Sequence, residues 1–238
     1  MVHVLAEGGI ELRVVVKLGG HAFPSEPDAD RISGYARVFK RLKKAGHRLV
    51  VVTGGGATAR SYIEASRKLG ANEALCDQIA IVGTRMNAWL LINGLGEDAY
   101  PNVPASLQEM RFAFEGGRII VMGGLLPGQS TDAVAALVSE LIGASTLIKA
   151  TDTDGIYTAD PQKNPDAKKL DEISCTQLMR VLLRESMGAG EYELLDPVAV
   201  KLIERSRTPM RVIDGRKPEN IEKAVRGEEI GTLVTSSS

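Results

Sequence analysis

Short runs of β-branched and aliphatic residues recur along the chain with helix-patterned stretches between them, and this alternation restricts the fold more than any other feature. The runs are Leu12 to Leu18 (LRVVVKL), Arg48 to Thr53 (RLVVVT), Arg118 to Met122 (RIIVM), Thr146 to Ala150 (TLIKA) and Pro209 to Ile213 (PMRVI). Such nearly unbroken apolarity suits strands buried on both faces, which is the situation of a parallel sheet covered by helices. The expectation is an α/β chain and not a succession of hairpins. Between the first two runs, Ile32, Tyr35, Phe39 and Leu42 repeat at helical spacing and Gly46 offers a C-cap. Arg37, Lys40, Arg41, Lys43 and Lys44 lie mostly off that stripe and read as a solvated face. Gly155 to Lys169 and Glu185 to Glu191 read as loops, and no repeat or linker divides the chain. One domain over residues 1–238 is expected, with lobes of about 1–150 and about 151–238.

Composition excludes several classes. The 238 residues are 44% hydrophobic and 25% charged, enough for one sizeable core. Lys and Arg number 29 against 30 Asp and Glu, so no global positive field draws the chain to nucleic acid or anionic lipid. Cys76 and Cys175 stand far apart without a C-x-x-C or a Cys/His cluster, which argues against a disulfide scaffold or a zinc module. The most apolar stretches, Leu49 to Val52 and Ala133 to Val138, fall far short of the ~20 residues a membrane span needs, and Glu7 and Glu11 interrupt any signal-peptide core. The expectation is a soluble, cytoplasmic protein with no nucleic-acid or membrane partner.

Three glycine clusters stand where strand runs end: Lys17-Leu18-Gly19-Gly20, Thr53-Gly54-Gly55-Gly56 and Met122-Gly123-Gly124. Open α/β sheets bind ligands at that edge. Glycine lets backbone N–H groups approach phosphate oxygens, and the following helix presents its positive N-terminus. No Gly-Lys dipeptide exists, so there is no P-loop of the G-x-x-x-x-G-K-[ST] type. Gly54 to Ala59 (GGGATA) matches G-x-G-x-x-A, with Glu73 and Asp77 at about the dinucleotide-binding distance, which keeps a dinucleotide-binding oxidoreductase in view. Against it, Asp77 lies in the helical-looking stretch Glu73 to Gly94 and not at the tip of a second strand.

Five ordered segments carry a more specific signal: VVVKLGG (Val14 to Gly20), VVTGGGATARSYI (Val51 to Ile63), GGLLPGQSTDAVAALVSE (Gly123 to Glu140), ATDTDGIYTADP (Ala150 to Pro161) and AGEYELLDPVAVKLIERS (Ala189 to Ser206). With them the chain resembles the amino acid kinase superfamily, and within it the uridylate kinases of archaeal type. The resemblance implies an α/β/α sandwich around a mainly parallel, eight-stranded sheet, assembly into homohexamers, and transfer of the γ-phosphoryl group of Mg²⁺–ATP to UMP. His21 departs from the family, in which Ser, Glu or Lys usually follows the first Gly pair. Other members of the superfamily act on carboxylates or isopentenyl phosphate, and one stores oxyanions.

The resemblance also implies roles. Lys17 would be the catalytic lysine, a point charge able to follow the transferred group. Gly19, Gly20 and His21 would offer amides to the ATP phosphates. Gly55 would face the acceptor phosphate and Gly56 the donor phosphate, with Arg60 reaching phosphate unless it pairs with Glu64. Asp77 would accept from the acceptor ribose hydroxyls. Gly124, Leu125, Leu126, Pro127, Gly128, Gln129, Ser130 and Thr131 would form the acceptor-nucleoside loop, Ser130 and Thr131 also capping the next helix. On the donor side, Thr151 and Asp152 would lie near ribose or phosphate, Tyr157 against adenine and Asp160 on ribose. Asp132 and Asp196 would orient lysines or an outer-sphere magnesium, while Asp196 also reads as an N-cap before Pro197. No protein metal site is expected.

Overall fold

The computed structural model describes residues 3–4, 10–161, 163–186 and 195–236. Two short strands, β1 (His3–Val4) and β2 (Ile10–Glu11), pair antiparallel ahead of the main body. The first core strand, β3 (Arg13–Leu18), begins one residue later than the apolar run suggests, and its Val14, Val15 and Val16 are all fully buried. Each fully buried valine contributes about 1.5–3 kcal/mol relative to exposure.

Helix α1 (Ala29–Lys44) follows, with Asp28 accepting from the Arg31 N–H as its N-cap. It ends as the sequence predicts: Gly46 takes φ 89, and the His47 N–H reaches back to the Leu42 carbonyl. Its basic residues are a solvated face, with Arg41 paired to Glu222 and Lys43 to Asp98. Then come β4 (Arg48–Thr53), α2 (Gly56–Lys68), α3 (Glu73–Leu95), α4 (Leu107–Glu115), β5 (Ile120–Met122), α5 (Thr131–Ile142) and β6 (Thr146–Thr151). Strand β5 is shorter than its apolar run, Ile119 forming only an isolated bridge to Ala99.

The expected loop from Gly155 contains a two-stranded ribbon, β7 (Ile156–Tyr157) antiparallel to β8 (Lys169–Leu170). The chain continues through β9 (Glu172–Ser174), α6 (Cys175–Ser186), α7 (Pro197–Ser206), β10 (Met210–Asp214), α8 (Glu219–Val225) and β11 (Thr232–Thr235). The loop expected at Glu185 to Glu191 gives way to helix α6 as far as Ser186, and its remainder, with the Ala189 to Leu194 part of the fifth matching segment, lies outside the described residues.

Among the described residues the central sheet has seven strands, where the family resemblance implies eight, in the order β5-β4-β3-β6-β10-β11-β9. Strands β5, β4, β3, β6 and β10 are mutually parallel, and β11 reverses direction against β10 and pairs parallel with β9. The period-2 alternation of a strand then sorts the side chains into two cores. Val14, Val16 and Leu18 of β3 pack with Tyr35, Phe39, Leu91 and Ile221 from α1, α3 and α8. Val15 packs with Met110, Val134, Leu178 and Val200 from α4, α5, α6 and α7. Helices on both faces make a three-layer α/β/α sandwich, and the parallel strands direct all three glycine clusters to one edge.

Candidate active site

That edge is built by close backbone approach. The Gly19 N–H donates to the Ala150 carbonyl at 2.9 Å and the Gly54 N–H to the Leu18 carbonyl at 2.9 Å, so the first two glycine clusters are stitched to neighbouring strands. A Cβ on Gly20 would stand 3.2 Å from the Gly56 Cα, while Gly56 itself has φ 69 and faces the Phe23 carbonyl. Only glycine combines that backbone angle with that approach. The third cluster leans on α3: the Gly124 N–H donates to Thr84 Oγ1 at 2.8 Å, and Arg85 Nε donates to the Gly124 carbonyl at 3.2 Å.

Three helices aim their N-termini into a cleft of about 640 Å³ lined by Lys17, Gly19, Gly20, His21, Arg60, Lys149 and Asp152, among others. Helix α2 starts at Gly56 without a side-chain cap. On α5, Ser130 Oγ accepts from the Ala133 N–H, and on α7, Asp196 accepts from the Val198 N–H at 2.8 Å. The Ser130 hydroxyl also donates to the Asp196 carboxylate, tying the two caps together. Uncompensated N–H groups and the partial positive charge at each N-terminus favour an anion between them. Asp196 is thus the helix cap its Asp-Pro sequence suggests, with a second bond that the sequence does not reveal.

Beneath the first turn of α5, Asp132 meets two lysines. Lys17 Nζ lies 3.4 Å from Oδ1, and Lys149 Nζ donates to Oδ2 at 2.6 Å. Lys17 and Lys149 are register partners on adjacent parallel strands, so their side chains leave the sheet on the same face, toward α5. Burial by itself would raise the Asp132 pKa, but the two ammonium groups more than offset it and hold the carboxyl at about 2. Lys149 was legible only as an interruption of the apolar run TLIKA. The signal that could have exposed it is its position at the same depth of its strand as Lys17.

A second cavity, of about 490 Å³, shares Gly55, Gly56, Arg60, Ser130 and Thr131 with the first and is otherwise lined by Asp77, Ile81, Thr84, Gly124, Leu126 and Gln129. Asp77 Oδ2 accepts from the Gly128 N–H at 2.7 Å, fastening the loop to α3. Pro127 and Leu126 are exposed on that loop, and Leu125 is half-buried against the core. The Gln129 Oε1 atom is buried without a hydrogen-bond partner among the described residues. Asn87, another residue the sequence reading missed, donates to the Gly54 and Gly55 carbonyls at 2.8 and 3.0 Å. Polar residues at Asp77, Thr84, Arg85 and Asn87 of a largely apolar helix were the available signal.

Arg60 is exposed at the junction of the two cavities, and Glu64 pairs with Lys68 at 2.7 Å instead of with Arg60. His21 lines the first cavity with its Nε2 3.2 Å from the Tyr35 hydroxyl, which itself donates to the Gly215 carbonyl at 2.6 Å. Burial pushes the His21 pKa below its ordinary value. Thr151 and Asp152 line the first cavity, whereas Tyr157 and Asp160 do not. The Tyr157 hydroxyl donates to Asp154 at 2.7 Å, and the Asp160 carbonyl accepts from the Lys163 and Asn164 N–H groups.

Convergent glycine loops, three helix N-termini and two lysines sharing one carboxylate define a phosphate-handling α/β protein with two adjoining pockets. Comparison with known sequences gives the lineage: the Amino acid kinase family pattern matches residues 12–214, and the chain belongs to that family. It is 48% identical over 223 residues to the uridylate kinase of Hyperthermus butylicus, covering 93% of this chain and 97% of that one. It is 42% identical over 225 residues to the uridylate kinase of Methanocaldococcus jannaschii, covering 94% and 99%. The crystal structure of uridylate kinase from Archaeoglobus fulgidus superposes with a TM-score of 0.84 at 39% identity, covering 94% of this chain and 100% of that one.

Proposed function

We propose that the chain transfers the γ-phosphoryl group of ATP to UMP, giving UDP and ADP. The observation that carries this reading is the pair of cavities that meet at Gly55, Gly56, Arg60, Ser130 and Thr131, one polar and lysine-lined, the other walled by α3 and the 124–131 loop. Two nucleotides entering from opposite sides would meet phosphate to phosphate. Relatives named uridylate kinase, similar over almost the whole chain, support the same reading.

Phosphoryl transfer passes through a loose, strongly charged transition state, so catalysis rests on positioning and neutralisation. Lys17 places an ammonium in the first cavity, while Gly19, Gly20, His21 and Gly56 frame the donor phosphates. Arg60 carries no ion pair among the described residues and would clamp phosphate oxygens at the junction. Gly55 faces the acceptor phosphate, and Asp77 the acceptor ribose. Gly124 to Thr131 would read the uracil, with the orphan Gln129 oxygen accepting a base N–H that a substrate must supply. Thr151 and Asp152 would contact the donor ribose or phosphates, with Tyr157 offering a ring face to adenine and Asp160 a carboxylate to ribose. Residues before about 150 would then hold chiefly the acceptor and those after it the donor.

The described residues contain no group of three His, Cys, Asp or Glu side chains that would cage a metal ion, and Asp132 is already committed to two ammonium groups. The donor set therefore does not fit a protein-held ion. Magnesium would enter on the ATP phosphates, where its chemistry is charge neutralisation. No described helix is long and apolar enough to cross a membrane, which agrees with a cytoplasmic placement. Leu75, Val82, Met86 and Trp89 are exposed along α3 and support self-association of the kind a homohexamer requires. The deciding experiment offers UMP, CMP, dUMP, isopentenyl phosphate and a carboxylate with Mg²⁺–ATP and follows ADP. Fastest turnover with UMP is expected, and faster turnover with a non-nucleotide acceptor would overturn the reading.

A further inference from the structure

Lys149 is a lysine on a central strand with its side chain 6% exposed. A buried ammonium is costly without a partner. Its partner is Asp132, and the two lysines share that carboxylate unequally: Lys149 makes the 2.6 Å bond and Lys17 stands at 3.4 Å. A charge-assisted hydrogen bond weakens steeply with distance, so Asp132 is committed to Lys149 first.

Resting on the phosphoryl-transfer reading above, the geometry points to Lys149 as a positioning residue for that reaction: by occupying Asp132 it leaves Lys17 tethered loosely enough to follow the moving phosphoryl group. It touches no reacting atom and transfers no proton. Without its ammonium, Asp132 and Lys17 become a simple pair of opposite charges in a site where attraction is several times its value in water. Lys17 would then be held to the carboxylate, and the site would lose the net positive charge that the present arrangement of two ammonium groups and one carboxylate retains.

The same geometry gives a signature. The charged groups facing Lys149 are Asp132 from α5, Lys17 from β3 and Asp196 from the start of α7, while its register partner on β10, Val212, is apolar. Burial lowers the Lys149 pKa to about 8, Asp132 opposing the shift and Lys17 adding to it. Below that pH Lys149 is charged and occupies Asp132. Above it the ammonium is lost and Lys17 takes its place.

The test compares wild type, Lys149→Met and Lys149→Arg from about pH 6 to about pH 10, each checked by circular dichroism, with UMP and Mg²⁺–ATP varied separately. The wild type is assayed first: failure to make ADP from UMP removes the phosphoryl-transfer reading itself, whereas an active wild type isolates the role of Lys149. A folded Lys149→Met should lose at least about 30-fold in kcat with both KM values within about threefold, because only the transition-state role of Lys17 is impaired. Lys149→Arg keeps its charge, so it should retain kcat within about tenfold and move the alkaline limb of kcat/KM up by at least about one pH unit. A folded Lys149→Met with near-normal kcat overturns the proposal. So does a Lys149→Arg enzyme that is inactive though folded, or whose alkaline limb stays where the wild type has it. If Lys149→Met does not fold, the Lys149→Arg profile decides.

Discussion

The two sides of the site, proposed above to hold acceptor and donor, are held by different means. On the acceptor side, side chains of α3 fasten the glycine loops directly: Asp77 to Gly128, Thr84 to Gly124, and Asn87 to Gly54 and Gly55. On the donor side, the segment after β6 is bonded mainly to itself, Tyr157 and Lys169 both reaching Asp154 and the Lys168 N–H reaching Thr158. One long helix carries every anchor of the pocket proposed for the acceptor, and preformed geometry is what lets polar contacts discriminate. The donor segment depends on local turns, so it should contribute affinity more than selectivity.

The sharpest way to break this comparison is at the carboxylate that stands between the two sides. Asp132→Asn removes the carboxylate that Lys149 bonds at 2.6 Å and leaves a buried ammonium without its ion pair, which should cost about 3–5 kcal/mol by urea unfolding near neutral pH. The effect has a definite sign with pH. Asp132 is held at about 2, below its ordinary 3.8, so its stabilisation is complete above about pH 4 and is lost as pH falls toward about 2. The gap between wild type and variant should therefore narrow in acid, and a gap independent of pH would show that the ion pair is not its source.

Next in size is Lys17→Ala, expected to lose about 10²–10³ in kcat with an intact circular dichroism spectrum, since it removes a donor aimed at developing charge. Arg60→Ala should differ in kind, raising KM for nucleotide by about tenfold as well as lowering kcat, because a guanidinium on a resting phosphate also stabilises the ground state. Identical kinetic patterns for the two variants would erase the distinction between them.

Asp77→Asn tests the acceptor side alone. Loss of the carboxylate would weaken the anchor of Gly128 and, with it, the proposed ribose contact, so KM for UMP should rise about tenfold or more while KM for ATP stays put, and the preference for UMP over dUMP should narrow. An equal rise for UMP and dUMP would reduce Asp77 to a loop anchor. The smallest effect belongs to the donor side: Tyr157→Phe should be nearly silent, and Tyr157→Ala should raise KM for ATP by only about threefold to fivefold, the value of one stacked ring. A large effect of Tyr157→Phe would mean that its bond to Asp154 shapes the pocket, and the contrast between the two sides would fall.

Much of this was legible in local sequence. Unbroken runs such as VVV at 14–16 and 50–52 need burial on both faces, and a glycine after a strand permits an approach that any Cβ would block, so the sandwich and its ligand-binding edge follow from short-range pattern. The Asp-Pro before α7 announced its own cap, and Gly46 its own helix end. The reversal of β11 was not legible, because an antiparallel edge strand carries the same β-branched signature as a parallel one. Nor was Lys149. Its meaning depends on register with Lys17, and register is set by pairing across more than a hundred residues of chain, not by the residues beside it. The sequence by itself determined the five parallel core strands and that glycine-rich backbone lies at the ends of three of them. Only the tertiary structure decided which charges share a carboxylate, because electrostatic coupling depends on distance in space and on burial, and neither is a property of neighbours along the chain.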